Sequence, residues 1–544
     1  MLTLPLDPTD DRAKPAFKDA ASCTHWLGQL QLTNLQKAHA TLCAQLDEFN
    51  RYPMRGLERL QTLELLRETI SHVQGDYAKK LVAKALPLSE SELAIFQSIT
   101  ALWQGMVTGY QRCLQGYVAG DQQLAPYGSL LCQRCLTYGG LQILEYLRTG
   151  YEFAGRLWQQ MHALYAFAEA QELHLTEVED ELNTHGRKAS CRTIYIKTLL
   201  SAQAHPEELS RSQLQLLEQW LLQWSATLSL EHKYATSKGG DAPPLAVDLE
   251  GKQGLQPPTQ VKQRGNNLRF IAMVPLSKLL RVKIILLQQG QTPQQLELGN
   301  SLDGNACAEL LTQLHKHWCE GRPERMAERR NVEDEILACY GLEGIYAHVA
   351  NKPFRPQAKG GNISNEARNQ IATFGRVLAD TNRHDLAKLG FTMDVWQAED
   401  ESILGARLLR QGTEGVRLAP KQIIAVRHAD AKVCTIGVIA WLTVSQTGQL
   451  RAGVRYLPGS PQAVAVKPTG IGAAASAGAS AALLLPAMSR LKIPASLIIP
   501  RNLFHTGRIL EMTTSEGEKQ SVKMGISVER GMDYERISFT AAKA

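Results

Sequence analysis

The hydrophobic period of this chain changes once, near residue 332, and no single layered core accommodates both patterns. From Leu32 to about Trp224 apolar residues recur at helical spacing, as in Leu35, Leu42, Leu46 and Phe49, the rhythm that turns one stripe of a helix toward a core. From Val332 onward the apolar runs are short and bounded by Gly, Asp, Gln or Pro, as strands joined by turns are. A chain of 544 residues also exceeds what one hydrophobic core supports. The expected fold class is therefore multidomain α+β, with an all-α N-terminal bundle or repeat region, an antiparallel β-barrel and a small second β unit.

Within the helical region, Thr33 with Gln36 and Ser89 with Glu92 stand at capping-box spacing, where each side chain meets the other's backbone N–H at a helix start. Leu57–Ile70, Leu93–Tyr110, Ile143–Phe167 and Leu214–Trp224 continue the pattern, and six to nine helices are expected over 1–236. No period is sustained over three units, which favours a bundle or irregular array over a regular solenoid. SKGGDAPP and GKQGLQPP lack periodicity, so 237–260 reads as a linker. Residues 261–320 read as a mixed connecting segment. There Leu268–Ile271 and Val282–Leu287 fit either strand or helix, and Ala306–Trp318 fits a helix.

The β-like part offers Ile336–Tyr346, Phe391–Trp396, Gly405–Leu409, Gln422–Arg427 and Val433–Leu442 as strands. A return strand, Leu450–Leu457, follows a Thr447–Gly448 turn. The barrel is placed at 321–465, with an insertion at about 350–390 that begins polar and becomes helix-like over Ala367–Ala379. The Gly- and Ala-rich run Gly470–Ala482 lacks the Lys-Ser/Thr ending of a phosphate loop. It reads as a linker over 466–482, ahead of a β unit at 483–544.

Lys plus Arg exceed Asp plus Glu by six, a surplus suited to an anionic ligand but too small to imply a nucleic-acid polymer. The acidic start, with Asp7, Asp10 and Asp11, is unlike a secretory signal, and no run of about 18 to 20 apolar residues is present. A cytoplasmic protein is expected. The ten cysteines lack zinc-site spacing and are read as reduced thiols. His315, His317 and Cys319 alternate, but on a helix alternating positions diverge, so no metal site is expected. No Gly-x-Ser-x-Gly elbow or His-Glu-x-x-His is present, nor a GGDEF or EAL signature of cyclic-dinucleotide turnover. The chain is read as a non-enzyme.

The motif that carries chemistry is WQAEDESILGARL at Trp396–Leu408, in which Asp400, Ser402 and Gly405 form Asp-x-Ser-x-x-Gly. Alone, an Asp/Asn-x-Ser-x-x-Gly match arises by chance in roughly one chain in four of this length. Its context is a strand before it, GARL opening a strand after it, then IGVIAWL, a turn and LRAGVRYL. In that order it resembles the PilZ family over about Arg322–Pro461. The resemblance implies a six-stranded barrel that holds cyclic di-GMP between this turn and an upstream Arg-x-x-x-Arg loop. Arg325 and Arg329 stand at that spacing, with Arg322 and Arg330 beside them and Arg407 as a further candidate. An arginine fork can meet guanine O6 and N7 or a phosphate, and Asp400 can accept from guanine N–H donors. Ser402 can bond a phosphate or ribose, and Gly405 lets backbone approach closely.

About 70 residues separate Arg329 from Asp400, more than a compact barrel needs. If that segment is integral to the barrel, the arginines need not face Asp400. The expected function is a bacterial cyclic di-GMP receptor and adaptor in signal transduction, with no cofactor. Ligand binding in the barrel would be coupled to a protein partner held by the helical region. The alternative is a ligand-free, degenerate scaffold or chaperone-like adaptor on the same fold.

Overall fold

The computed structural model describes residues 2–4, 6–182, 188–234, 241–261, 265–320, 330–331, 334–355, 386–412, 414–469 and 478–542. The chain divides into two compact units, Met1–Lys84 with Leu88–Met326, and Ala85–Pro87 with Ala327–Ala544.

The first unit is helical. Its helices are α1 (Ala20–Gln29), α2 (Leu35–Arg51), α3 (Gly56–Tyr77), α4 (Glu90–Val118), α5 (Gly128–Thr149), α6 (Arg156–Ala170), α7 (Cys191–Gln203), α8 (Arg211–Ala226), α9 (Val274–Gln288) and α10 (Gly304–Cys319). Ser89 and Glu92 form the expected capping box at the start of α4. At α2 the N-cap is Asn34, whose side chain accepts from Lys37 N, so the start lies one residue beyond Thr33. Ile143–Phe167 is two helices, because Gly150 takes a left-handed conformation (φ +69°) that ends α5.

Short strands β1 (Val178–Glu179) and β2 (Lys188–Ala189) form a hairpin, and β3 (Leu230–Glu231), β4 (Leu245–Asp248) and β5 (Leu268–Ile271) form a sheet in the order β3-β5-β4. The region read as a linker therefore contains a strand, with Leu245, Ala246 and Val247 buried. Among the described residues, Pro243 and Pro244 precede β4 and Gly251 and Gly254 follow it. Residues 261–320 also belong to this unit: α9 and α10 pack on one another, and Leu280, Leu310 and Trp318 join the helical core. Val282–Leu287 is helical, and Leu268–Ile271 is strand β5.

The second unit comprises two antiparallel barrels. The first contains β6 (Arg330–Asn331), β7 (Glu335–Tyr340), α11 (Leu342–Ala350), β8 (Asp394–Ser402), β9 (Gly405–Arg410), β10 (Ile423–His428), β11 (Thr435–Val444) and β12 (Leu450–Tyr456). The sheet order is β6-β8-β7-β10-β11-β12-β9, and β8 also pairs with β9. The strands β8-β7-β10-β11-β12-β9 thus close into a six-membered ring, with β6 added at β8. Ile336–Tyr346 is not one strand: Gly341 (φ +70°) ends β7 and α11 follows. β7 and β8 are antiparallel neighbours; of the insertion expected between them, 356–385 lie outside the described residues.

The second barrel is closed in the order β13-β14-β15-β18-β17-β16. Its strands are β13 (Gln462–Thr469), β14 (Ser480–Leu485), β15 (Ser496–Pro500), β16 (Ile509–Thr514), β17 (Lys519–Arg530) and β18 (Tyr534–Ala541). β13 pairs with β14, so the Gly- and Ala-rich run connects two strands of one barrel instead of separating two modules. The barrel begins near 462 rather than 483. A shared core joins the barrels: Ile423, Ala425, Ile436 and Val438 of the first and Leu483, Leu485, Ile498 and Tyr534 of the second, with Leu342 and Ile345 of α11. Ile423 N donates to the Asp533 carboxylate (3.0 Å) and Met532 N to Lys421 O (2.8 Å) across the same junction.

Candidate functional site

In β8, Trp396 and Ala398 point into the first barrel and are buried. Strict alternation would send Asp400 inward as well. A β-bulge at Glu399 prevents this: Ala398 pairs with Leu408 but Asp400 pairs with Arg407, so one β9 step spans two β8 steps. Asp400 consequently shares the outer face with Arg407, while Glu401, opposite Ala406, turns to the inner side.

The register carries this face across the sheet. Asn331 of β6 lies opposite Asp400, Asp400 opposite Arg407, Arg407 opposite Gly453 of β12, and Gly453 opposite Trp441 of β11. Cross-strand partners share a face, so Asp400, Arg407, Gly453 and Trp441 form one row over four strands. Gly453 leaves the gap that Trp441 fills. A Cβ there would overlap the indole at Nε1 and Cε2 and stand 2.8 Å from Cδ1. The half-buried indole therefore rests against bare backbone with Arg451 and Arg455 two residues to either side of Gly453.

Charge on this face is dense and paired. Arg407 Nη2 lies 3.0 Å from Asp400, and Glu399 receives Arg451 (3.3 Å) and Arg407 (3.9 Å). Arg455 pairs with Glu529 of the second barrel. At the rim, Tyr456 donates to Glu401 (2.6 Å), which also pairs with His428 (3.0 Å). Burial, then that hydrogen bond, pushes the Tyr456 hydroxyl far above its ordinary pKa, so it serves as a donor.

Ser402 and Gly405 bracket the two-residue turn between β8 and β9. Ser402 Oγ donates to Gly405 O (3.2 Å) and accepts from Leu404 N (3.3 Å), so the hydroxyl is used inside the turn. A Cβ on Gly405 would overlap the Val454 carbonyl oxygen, which makes this position a close approach of backbone to backbone. Arg322, Arg325 and Arg329 lie outside the described residues. Arg330 opens β6, and its backbone lies opposite Glu401. The pairing of β6 with β8 brings the chain just after the arginine segment beside Asp400, despite the 70-residue interval.

Trp441, Arg451 and Arg455 were not singled out as site residues by sequence reasoning. Their signal was present as Trp441 in IGVIAWL and the Arg-Ala-Gly-Val-Arg of LRAGVRYL, but only the register opposes Gly453 to Trp441. In the helical unit, His315 meets Ser277 (2.9 Å) and Arg281 (3.1 Å), whereas His317 faces Glu208 (3.6 Å). The two diverge as helical residues do.

An aromatic plate among arginines, in the same row as a carboxylate that an arginine holds in place, suits recognition of an anionic, ring-bearing ligand. The fold is thus a double barrel accompanied by a helical domain, and this face is its candidate ligand site. Residues 21–236 match a family model described as "Cyclic-di-GMP receptor FimW, N-terminal domain", and 464–542 one described as "FimW C-terminal beta-barrel domain". The curated Cyclic-di-GMP receptor FimW of Pseudomonas aeruginosa is 22% identical over 560 residues, covering 95% of this chain and 90% of that protein. These matches support a cyclic-di-GMP receptor family for the chain. The second match falls on the second barrel, and the row around Asp400 lies between the two matched segments.

Proposed function

We propose that the chain is a cytoplasmic cyclic di-GMP receptor and not an enzyme, and that its first barrel is PilZ-like, with the nucleotide on the outer face. The observation that carries this reading is the single row Asp400, Arg407, Gly453 and Trp441. Trp441 supplies a plate for a guanine, which stacks on any aromatic face. Asp400 accepts from guanine N–H donors, and Arg407, Arg451 and Arg455 answer the two phosphates. Arg322, Arg325, Arg329 and Arg330 are proposed as further contacts to guanine or phosphate. Ser402 and Gly405 act by shaping the turn.

The helical unit is proposed to hold a protein partner, with ligand occupancy changing that affinity. A partner that binds equally with and without saturating nucleotide would rule the coupling out, since a ligand without differential affinity shifts nothing. The scaffold alternative draws on one observation, that Arg407 and Arg451 are already paired with Asp400 and Glu399. Calorimetry with cyclic di-GMP separates the readings. The receptor binds, and Asp400→Ala, Arg325→Ala and Trp441→Ala each weaken it; wild type that gives no heat supports the scaffold.

A further inference from the structure

Helix α9 is apolar on two sides. Leu276, Ser277, Leu280 and Leu287 are buried in the helical unit. The opposite face carries Leu279, Val282 and Ile285, which are 37%, 54% and 52% exposed. Lys278 and Arg281 are exposed among them, and the helix, VPLSKLLRVKIILLQ, contains no acidic and no aromatic residue. A third cation, Lys283, is turned aside to the Leu296 carbonyl at 2.5 Å. Arg281 Nε donates to His315 at 3.1 Å, and among the described residues no carboxylate forms an ion pair with Lys278 or Arg281.

An ordinary surface helix places polar residues opposite its core stripe. Here large aliphatic side chains take that place, interspersed with cations only. The cores of protein interfaces are enriched in aromatic residues and Met and depleted of lysine, whereas this helix has no aromatic residue and no Met and exposes Lys278. Aliphatic residues among uncompensated cations are the composition of helices that lie in the boundary of an anionic lipid leaflet. At 15 residues the helix is too short to span a bilayer, which takes about 20, so it would lie along the surface.

We propose that the exposed face of α9 docks the chain on an anionic membrane surface, Leu279, Val282 and Ile285 entering the headgroup boundary and Lys278 and Arg281 meeting lipid phosphates. This contact is independent of the nucleotide reading. The full chain is to be sedimented with vesicles of phosphatidylglycerol and phosphatidylethanolamine, and with vesicles of phosphatidylcholine alone. Wild type is expected to bind the anionic vesicles, less so as salt rises, and to bind phosphatidylcholine weakly. Val282→Asp with Ile285→Asp is expected to weaken binding by about tenfold or more. Lys278→Gln with Arg281→Gln is expected to weaken binding to the anionic vesicles alone, by about tenfold. The second pair keeps the test decisive if the first perturbs folding, which circular dichroism reports. Absence of wild-type binding overturns the proposal, as does equal binding by both variants. It is also overturned if vesicles are ignored while self-association is lost in Val282→Asp with Ile285→Asp, since the face would then be a protein interface.

Discussion

Replacing Gly453 by Ala tests the candidate face without removing any group that would touch ligand. The new Cβ would overlap Trp441 Nε1 and Cε2, and even Cδ1 would stand 2.8 Å away against an ordinary contact of 3.4 Å. The indole must therefore lift or rotate off the sheet. Overfilling of a packed site costs about 1–3 kcal/mol, and the half-buried ring can move toward water, so the lower end is expected here. Stacking of a base on an aromatic ring contributes roughly 1–3 kcal/mol, so a displaced plate should weaken cyclic di-GMP binding by about 5- to 150-fold. Affinity is read by calorimetry and stability by denaturant unfolding, with Trp441→Ala as the comparison. If Gly453→Ala binds within twofold of wild type while Trp441→Ala does not, the indole does not depend on the bare backbone beneath it and the reasoning fails.

Three further outcomes follow from packing and charge. Asp180, 2% exposed, receives Arg67 (2.5 Å) and Arg134 (3.1 Å), both of which also pair with Glu64; Asp180→Ala removes one of the two carboxylates that these buried guanidinium groups share and should lower the unfolding free energy of the helical unit by about 1–3 kcal/mol, so no measurable loss would refute the role. His162 is held neutral by burial, which lowers its pKa from 6.5 to about 4. Its contribution is complete above the unfolded value and lost as pH falls from 6.5 toward 4, by roughly 3 kcal/mol, and urea unfolding of wild type and His162→Gln at both ends of that window should differ in pH slope. Gly405→Ala sets a side chain against the Val454 carbonyl, a backbone group that cannot rotate away, and should lower the thermal midpoint of the barrel unit more than Gly453→Ala does.

Local chemistry made much of the fold legible, and long-range pairing hid the rest. The Ser89–Glu92 box and the apolar stripes gave α4, α3 and α8 because capping and amphipathicity are written in consecutive residues. The strand at Leu245–Asp248 is illegible in the sequence because Gly and Pro flank a segment too short to show a period. The Gly- and Ala-rich run looked like a boundary, although β13 and β14 on either side of it are paired. At the site, Asp400, Ser402 and Gly405 were visible as a motif. The outward turn of Asp400 depends on the bulge at Glu399, and the neighbourhood of Trp441 and Gly453 on the register of β11 with β12. Neither can be read from spacing within one strand.

The central claim is that cyclic di-GMP lies on the outer face of the first barrel, and a structure of the full chain crystallised with the nucleotide tests it most directly. The expected result is a guanine stacked on Trp441, with its Watson–Crick edge toward Asp400 and phosphates within reach of Arg407, Arg451 or Arg455. Nucleotide bound instead within the helical unit, or on the second barrel away from β8, β9, β11 and β12, would contradict it.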